Sequence, residues 1–333
     1  MLAEWEQQSA VQLTWPHKDT DWAPILPEIT AVYEEMAREI SQREDLIIVA
    51  PEGFVKPVAK CQLVIVKSND TWARDHGFIT VKEDSSDLIL LDFCFNGWGE
   101  KFEAKLDNEI NDHLYEQGTI KGHYESHLDF VLEGGSIESD GKGTVFTTTC
   151  CLMAPHRNQP LTQAEIESRL KDYLGAERIV WLNHGSLIGD DTDGHIDTLV
   201  RICPDDTLLY VGCDDPDDEQ YAELRLMEEQ LQSFRTIEGR PYRLLRLPMP
   251  RPIYETDDAL GTKGDRLPAT YANFLVINGA VLCPTYDQPD LDAEALRLIA
   301  QAFPDREMVP IDCRAVIRQH GSLHCCTMQF PLI

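Results

Sequence analysis

The stretch Leu323-His324-Cys325-Cys326-Thr327-Met328-Gln329, near the end of a 333-residue chain, holds the first candidate chemistry. A histidine precedes two adjacent cysteines. Far upstream stand three polar groups: Trp72-Ala73-Arg74-Asp75-His76-Gly77, Glu133-Gly134-Gly135 and Gly194-His195-Ile196-Asp197. A thiol, an imidazole and several carboxylates suit nucleophilic attack on a cationic, electron-poor carbon. The attacking species is a thiolate, which forms at neutral pH only beside positive charge. A histidine or a bound cation could supply that charge. Composition does not separate Cys325 from Cys326 in this role.

Each candidate also has a plainer reading. His195 and Asp197 flank Ile196, and on a strand residues i and i+2 share a face. A base and a carboxylate on one face could both reach a ligand, or could form an ordinary buried pair. Asp75 follows Arg74 and could simply pair with it at the surface. Trp72, close by, could offer a flat wall to a planar cation. Glu133 closes the apolar run Phe130-Val131-Leu132, where a buried charge needs a partner. Gly134 and Gly135 permit a tight turn after it.

These residues must be held by a scaffold, and the periodicity supplies one. Helical spacing predicts helices over about Leu26 to Arg43, Phe102 to Tyr115, Gln163 to Leu174, Asp218 to Phe234 and Leu291 to Phe303. In the first, Ile29, Val32, Met36 and Ile40 share a face. Thr162 to Glu165 reads as a capping box opening the third. Asp290 is placed to N-cap the fifth. Between them lie short apolar runs typical of buried strands: Leu46–Val49, Leu63–Val66, Leu88–Leu91, Ile179–Trp181, Leu208–Val211 and Phe274–Ile277. Five helices, each with two or three strands nearby, point to a repeated strand-strand-helix unit. No Gly/Ser linker divides the chain, so residues 1–333 read as one α/β domain. Pro248 to Ala269 is the longest irregular stretch, of a length that suits a lid or binding loop.

Bulk properties exclude several classes. Hydrophobic residues make up 43% of the chain, enough for a large core. No apolar run is long enough to span a membrane. Met1-Leu2-Ala3-Glu4-Trp5-Glu6 has no apolar signal core, so a cytoplasmic protein is expected. Ten cysteines in a chain of this size point to reduced thiols, most of them in apolar strands. No C-x-x-C pair suggests a zinc thiolate site. The net charge of −29 disfavours nucleic acid; it suits a solvated acidic surface and is compatible with a field that concentrates a cationic small molecule. Homo-oligomer formation stays open.

Taken in order, the motifs resemble those of the agmatine deiminase and bacterial-type peptidylarginine deiminase family, within the guanidino-group modifying superfamily. The matching segments are Trp15-Pro16 with Asp21-Trp22, Trp72-x-Arg74-Asp75-x-Gly77, Phe95-Asn96-Gly97-Trp98-Gly99, Glu133-Gly134-Gly135, Asp193-Gly194-His195-Ile196-Asp197, Tyr271-Ala272-Asn273-Phe274 and His324-Cys325-x-Thr327-x-Gln329. They cover essentially the whole chain. The resemblance implies a five-bladed pseudosymmetric α/β propeller that needs no metal and no organic cofactor. It implies Cys325 as nucleophile with Cys326 a filler, His195 as general acid/base and Glu133 as its orienting partner. Asp75 and Asp197 would then grip a guanidinium, with Trp72 lining the pocket. The implied reaction converts agmatine to N-carbamoylputrescine and ammonia through a cysteine thiouronium. A peptidylarginine or other guanidine substrate is the alternative with the same chemistry. A metal-dependent hydrolase built on His195 and the aspartates, and a non-catalytic polyamine binder, are the readings outside that chemistry. Three features depart from the agmatine pattern that the resemblance implies. Asp193 and Thr198 stand where asparagine is expected, and His320-Gly321-Ser322 replaces a glycine-rich run.

Overall fold

The computed structural model describes residues 1–82, 88–257 and 262–332. Its architecture is mixed α/β and follows from one unit used five times. In five of the six sheets among the described residues, two strands pair antiparallel, and one of these pairs parallel with a third. In chain order of these hairpins, Ile79–Lys82 and Leu88–Cys94 are followed by His123–Val131. Ile137–Ser139 and Thr144–Thr148 are followed by Arg178–Leu182. Val200–Cys203 and Thr207–Val211 are followed by Arg243–Leu247. Leu275–Ile277 and Ala280–Thr285 are followed by Glu307–Asp312. The fifth of these sheets joins the chain ends. Thr327–Pro331 lies antiparallel to Gln8–Thr14, which runs parallel to Asp45–Ala50 and on to Gln62–Ile65. No closed sheet joins the five among the described residues.

A parallel pairing needs a crossover, and the crossover that follows each antiparallel pair carries helix, whereas the connection from Asp45–Ala50 to Gln62–Ile65 carries none. Leu26–Ser41 buries Ile29, Val32, Tyr33, Met36, Ala37 and Ile40, the face that the spacing predicts. Gln163–Leu174 buries Ile166, Leu170 and Leu174. Its start is the expected capping box, with Thr162 and Glu165 bonded reciprocally, and it ends at Gly175 in the left-handed region (φ 63°). Tyr221–Ser233 begins later than the periodicity suggests, because Asp218 instead bonds the Gln220 amide and pairs with Arg266. Pro289–Ala302 begins at a proline, well suited to a first helical position, so Asp290 lies in the first turn and not at the cap. The helix expected from Phe102 to Tyr115 is two short pieces, Lys105–Asn108 and Ile110–Glu116. Here side chains compete with the helical ladder. Asn108 accepts from the Phe95 amide, and Asp107 from the amides of Asn69 and Asp70.

Two other expectations change. Pro248 to Ala269 is not irregular throughout, since Tyr254–Asp257 and Thr262–Arg266 form an antiparallel pair. Residues 258–261, part of the expected lid, lie outside the described residues. The ten cysteines are all unpaired, and seven are buried. Only Cys94, Cys203 and Cys283 sit in strands, whereas most of the others occupy turns and short helices. Among the described residues no helix is long and apolar enough to cross a membrane.

Removing the capping oxygen with Thr162→Ala should destabilise the fold by about 1 kcal/mol, read as a lower urea midpoint at unchanged slope.

Candidate active site

The chemistry-bearing residues share a topological position. Each lies on the segment leading into the first strand of a sheet. Asp75 sits in the single helical turn Ala73–His76, ahead of Ile79–Lys82. Glu133 precedes the 3-10 turn Gly134–Ser136, ahead of Ile137–Ser139. His195 and Asp197 lie at the turn Ile196–Thr198, ahead of Val200–Cys203. Asn273 precedes Leu275–Ile277. Cys325 sits in the turn His324–Cys326, ahead of Thr327–Pro331. The five sheets thus each deliver polar side chains through one equivalent connection. Two local readings are corrected here. His195 and Asp197 are on a 3-10 turn, so strand alternation does not place them. The strand before Glu133 ends at Val131.

Three of these connections converge on Gly135. A Cβ at that position would lie 2.6 Å from His195 Nδ1, 2.9 Å from Asp75 Oδ1 and 3.2 Å from an Asp197 carboxylate oxygen. Only glycine lets the three polar groups approach so closely. Asp75 Oδ1 accepts from the Gly135 amide at 3.1 Å, and its Oδ2 from Trp98 Nε1 at 3.0 Å. Arg74 does not take the Asp75 carboxylate; among the described residues its bond goes to the Met328 sulfur. His195 is fully buried. Its Nδ1 stands 3.6 Å from Asp75 and its Nε2 4.0 Å from Glu133, ion-pair distances beyond hydrogen-bond reach. Neither ring nitrogen, nor Asp197 Oδ1, has a hydrogen-bond partner among the described residues.

Other side chains hold this group in place. Glu133 receives Arg157 Nε at 3.0 and 3.3 Å, and Arg157 also donates to Asp193 and to the Thr192 carbonyl. Asp197 Oδ2 meets His324 Nδ1 at 2.7 Å, and His324 Nε2 meets Glu4 at 2.8 Å. The Cys325 thiol lies 3.4 Å from Asn273 Oδ1, which also accepts from the amides of His324 and Cys325. Asn273 Nδ2 donates back to the Asp197 carbonyl. Cys326 points elsewhere, toward the Ser322 carbonyl at 3.4 Å.

The electrostatics follow from burial and crowding. Desolvation, with the charges of Asp197 and Glu133, lifts the Asp75 carboxyl to about 6 against the pull of His195. Burial, then Asp197 and Asp75, pushes the Cys325 thiol well above its ordinary value. Burial opposes ionisation of Asp197 too, but the His324 hydrogen bond and nearby positive charge outweigh it and hold this carboxyl low.

Cys325 and Asp75, both buried, also line a cleft of about 180 Å³. Trp72, Trp98 and Phe102 form aromatic walls, and Asp21, Asp70, Asp191 and His320 continue it outward. No Lys or Arg lines it among the described residues. A Cβ at Gly321 would lie 2.2 Å from the Trp72 ring, so glycine is required for this wall. Gly97, Trp98 and Gly99 all have φ between 57° and 83°. That uncommon run turns the Trp98 indole onto Asp75.

Two groups could present metal ligands. Glu133, Cys151 and His195 offer atoms within 4.8 Å of one another, as do Glu4, Glu138 and His324. Neither fits a cation well. The Arg157 guanidinium already occupies Glu133, and Arg201 bonds both Glu4 and Glu138. Of the departures from the family pattern, Asp193 pairs with Arg157 and Lys101, and Thr198 donates to the His195 carbonyl. Neither lines the cleft; His320 and Gly321 do. Sequence reasoning gave no role to Trp98 or Asn273 beyond their motifs, and none to Arg157, Glu4 or His324. Arg157 and Glu4 carry no local signal, because each acts across a long sequence separation. Gly135→Ala should leave the melting temperature within a few degrees yet weaken binding of a guanidinium cation by about tenfold or more, read by titration calorimetry, because overpacking here costs on the order of 1–3 kcal/mol.

The chain is similar to known proteins over almost its whole length. Residues 1–331 match the family described as Porphyromonas-type peptidyl-arginine deiminase. Agmatine deiminase from Pseudomonas aeruginosa is 34% identical, with 99% of this chain and 95% of the relative aligned. A structure of Campylobacter jejuni agmatine deiminase, a cysteine-to-serine variant with substrate bound, superposes with a TM-score of 0.90 at 35% identity, covering 99% and 96% of the two chains. A candidate arginine deiminase from Porphyromonas gingivalis superposes at 0.92 with 48% identity, covering 99% and 97%. On sequence and fold together, the chain belongs to the Porphyromonas-type peptidyl-arginine deiminase family.

Proposed function

We propose that this protein is an agmatine deiminase that hydrolyses the guanidinium to N-carbamoylputrescine and ammonia. The observation that carries the reading is that a buried thiol and a buried carboxylate, Cys325 and Asp75, line one acidic cleft, with the buried His195, Asp197 and Glu133 gathered behind Asp75. The C. jejuni and P. aeruginosa relatives, both named agmatine deiminases, favour the same substrate. A cleft lined by Asp21, Asp70, Asp75 and Asp191 suits a substrate with a cation at each end and no carboxylate. The whole chain is read as one catalytic domain, its five units arranged as a pseudosymmetric propeller. Its unpaired cysteines suit a reducing cytoplasm.

In this reading, Asp75 and Asp197 hold the guanidinium in plane through charge-assisted hydrogen bonds, with Trp72 as a flat wall. The incoming cation offsets the two charges that keep the Cys325 thiol protonated, so the thiol releases its proton to solvent and thiolate forms when substrate binds; the sulfur recovers a proton from the ureido oxygen at the end of the cycle. The sulfur adds to the guanidinium carbon. His195, oriented by Glu133, protonates the departing nitrogen. The C–N bond breaks, ammonia leaves, and an S-alkylthiouronium remains. His195 then takes a proton from water, the oxygen adds to the same carbon, and the C–S bond breaks. Thiolate and a ureido product are released. Cys326 is buried, lies off the cleft, and its thiol is pushed up to about 12 by burial, so it stays a filler.

Ammonia release measured across agmatine, arginine and a blocked arginine peptide tests the reading. Agmatine should be strongly preferred; a better rate with the peptide would assign the alternative substrate. Cys325→Ser should abolish release, while Cys326→Ser keeps most of it; the reverse result would move the nucleophile. Since the Asp75 carboxyl titrates at about 6, it loses its charge as pH falls through that value, and substrate loses a partner. KM should therefore rise below pH 6, by up to about tenfold per unit, and that slope should vanish in Asp75→Asn.

A further inference from the structure

We infer that His320 is a specificity-determining residue that accepts a hydrogen bond from the substrate's distal ammonium in the outer part of the cleft. This rests on the agmatine reading above. His320 lines the same cleft as Cys325 and Asp75. Cys325 and Asp75 are buried, whereas the His320 and Asp191 side chains retain 33% and 45% exposure. The cleft therefore runs outward from the thiol to the imidazole.

The tautomer of this ring follows from its partner. His320 Nδ1 lies 2.7 Å from the Gly189 carbonyl oxygen. A carbonyl can only accept, so Nδ1 carries the proton and donates. In the neutral ring, Nε2 is then left as a lone-pair acceptor. Among the described residues, Nε2 makes no hydrogen bond. The partner that fixes this arrangement is itself fixed. A Cβ at Gly189 (φ 87°) would lie 2.4 Å from the Arg266 carbonyl oxygen, so the loop carrying the Gly189 carbonyl is packed tightly in place.

His320 itself adopts φ 65°, the left-handed region, with its backbone amide bonded to the Ile317 carbonyl. The ring is thus aimed by the backbone as well as by Gly189. Around it, the charged groups on the cleft wall are Asp21, Asp70, Asp75 and Asp191, with Asp191 the nearest at 3.9 Å from Nδ1. A lone-pair acceptor among carboxylates, which the ring offers in its neutral form, favours an ammonium over an apolar or anionic end group. It also supplies direction, which a diffuse negative field does not.

The test compares agmatine with n-butylguanidine, which has the same reacting group and no amine. His320→Asn is the informative variant, because asparagine tolerates the left-handed backbone and is too short to reach as the ring does. In His320→Asn the agmatine KM should rise roughly ten- to hundredfold, as expected for loss of one hydrogen bond to a charged group. The n-butylguanidine KM and both kcat values should stay within about twofold. Equal changes for the two substrates, or none, would overturn the assignment. Binding to the Cys325→Ser background, read by calorimetry with both compounds, gives the same comparison without turnover. If the unsubstituted enzyme released no ammonia from either compound, the reaction assignment would fail. The His320 assignment would then stand or fall on whether His320→Asn removes a binding preference for agmatine.

Discussion

The structure turns on the burial of Asp75, Asp197 and Glu133 around one glycine. Negative charges held out of water and close together oppose one another, and the fold must compensate them. It does so unevenly. Glu133 is given the Arg157 guanidinium, and Asp197 is given His324. Among the described residues Asp75 receives only an indole N–H and a backbone amide, and its carboxyl is lifted to about 6. The compensation is incomplete where a cationic substrate would arrive. That is a sound design for binding a guanidinium, since the ligand relieves a cost already present in the folded protein.

The same incompleteness governs the sulfur. Cys325 is buried beside two of these carboxylates, and both disfavour a thiolate. In the proposed reaction, a thiol kept protonated until a cation binds is protected from adventitious chemistry in the resting protein. Asn273 complements this arrangement. One amide oxygen gathers the thiol and two backbone amides, which fixes the turn that presents the sulfur.

The repeated unit explains how such a site can be assembled from distant sequence. Each sheet begins with a short turn entering its first strand, and these turns carry Asp75, Glu133, His195 with Asp197, Asn273 and Cys325. The sheet that joins the two ends of the chain brings the final turn into this set. Pairing of Gln8–Thr14 with Thr327–Pro331 ties the segment carrying Cys325 to the N-terminal region, from which Glu4 reaches His324 and Arg201. The position of the sulfur thus depends on contacts spanning almost the whole sequence.

Much of this was legible in the residues themselves. The amphipathic face of Leu26–Ser41 and the capping box at Thr162 are local patterns, and local physics is enough to produce them. The candidate residues were legible too, because nucleophile, base and carboxylate are recognisable by type and sit in short motifs. Where long-range contacts compete with local preference, the sequence misled. The segment from 102 to 115 breaks because Asp107 and Asn108 serve backbone amides at 69, 70 and 95, and His195 and Asp197 occupy a turn although their spacing suited a strand. Arg157, Glu4, His324 and the Nδ1–H tautomer of His320 were decided only in three dimensions. Their significance lies in which charges and carbonyls the fold sets against them, and spacing along a chain holds no record of that.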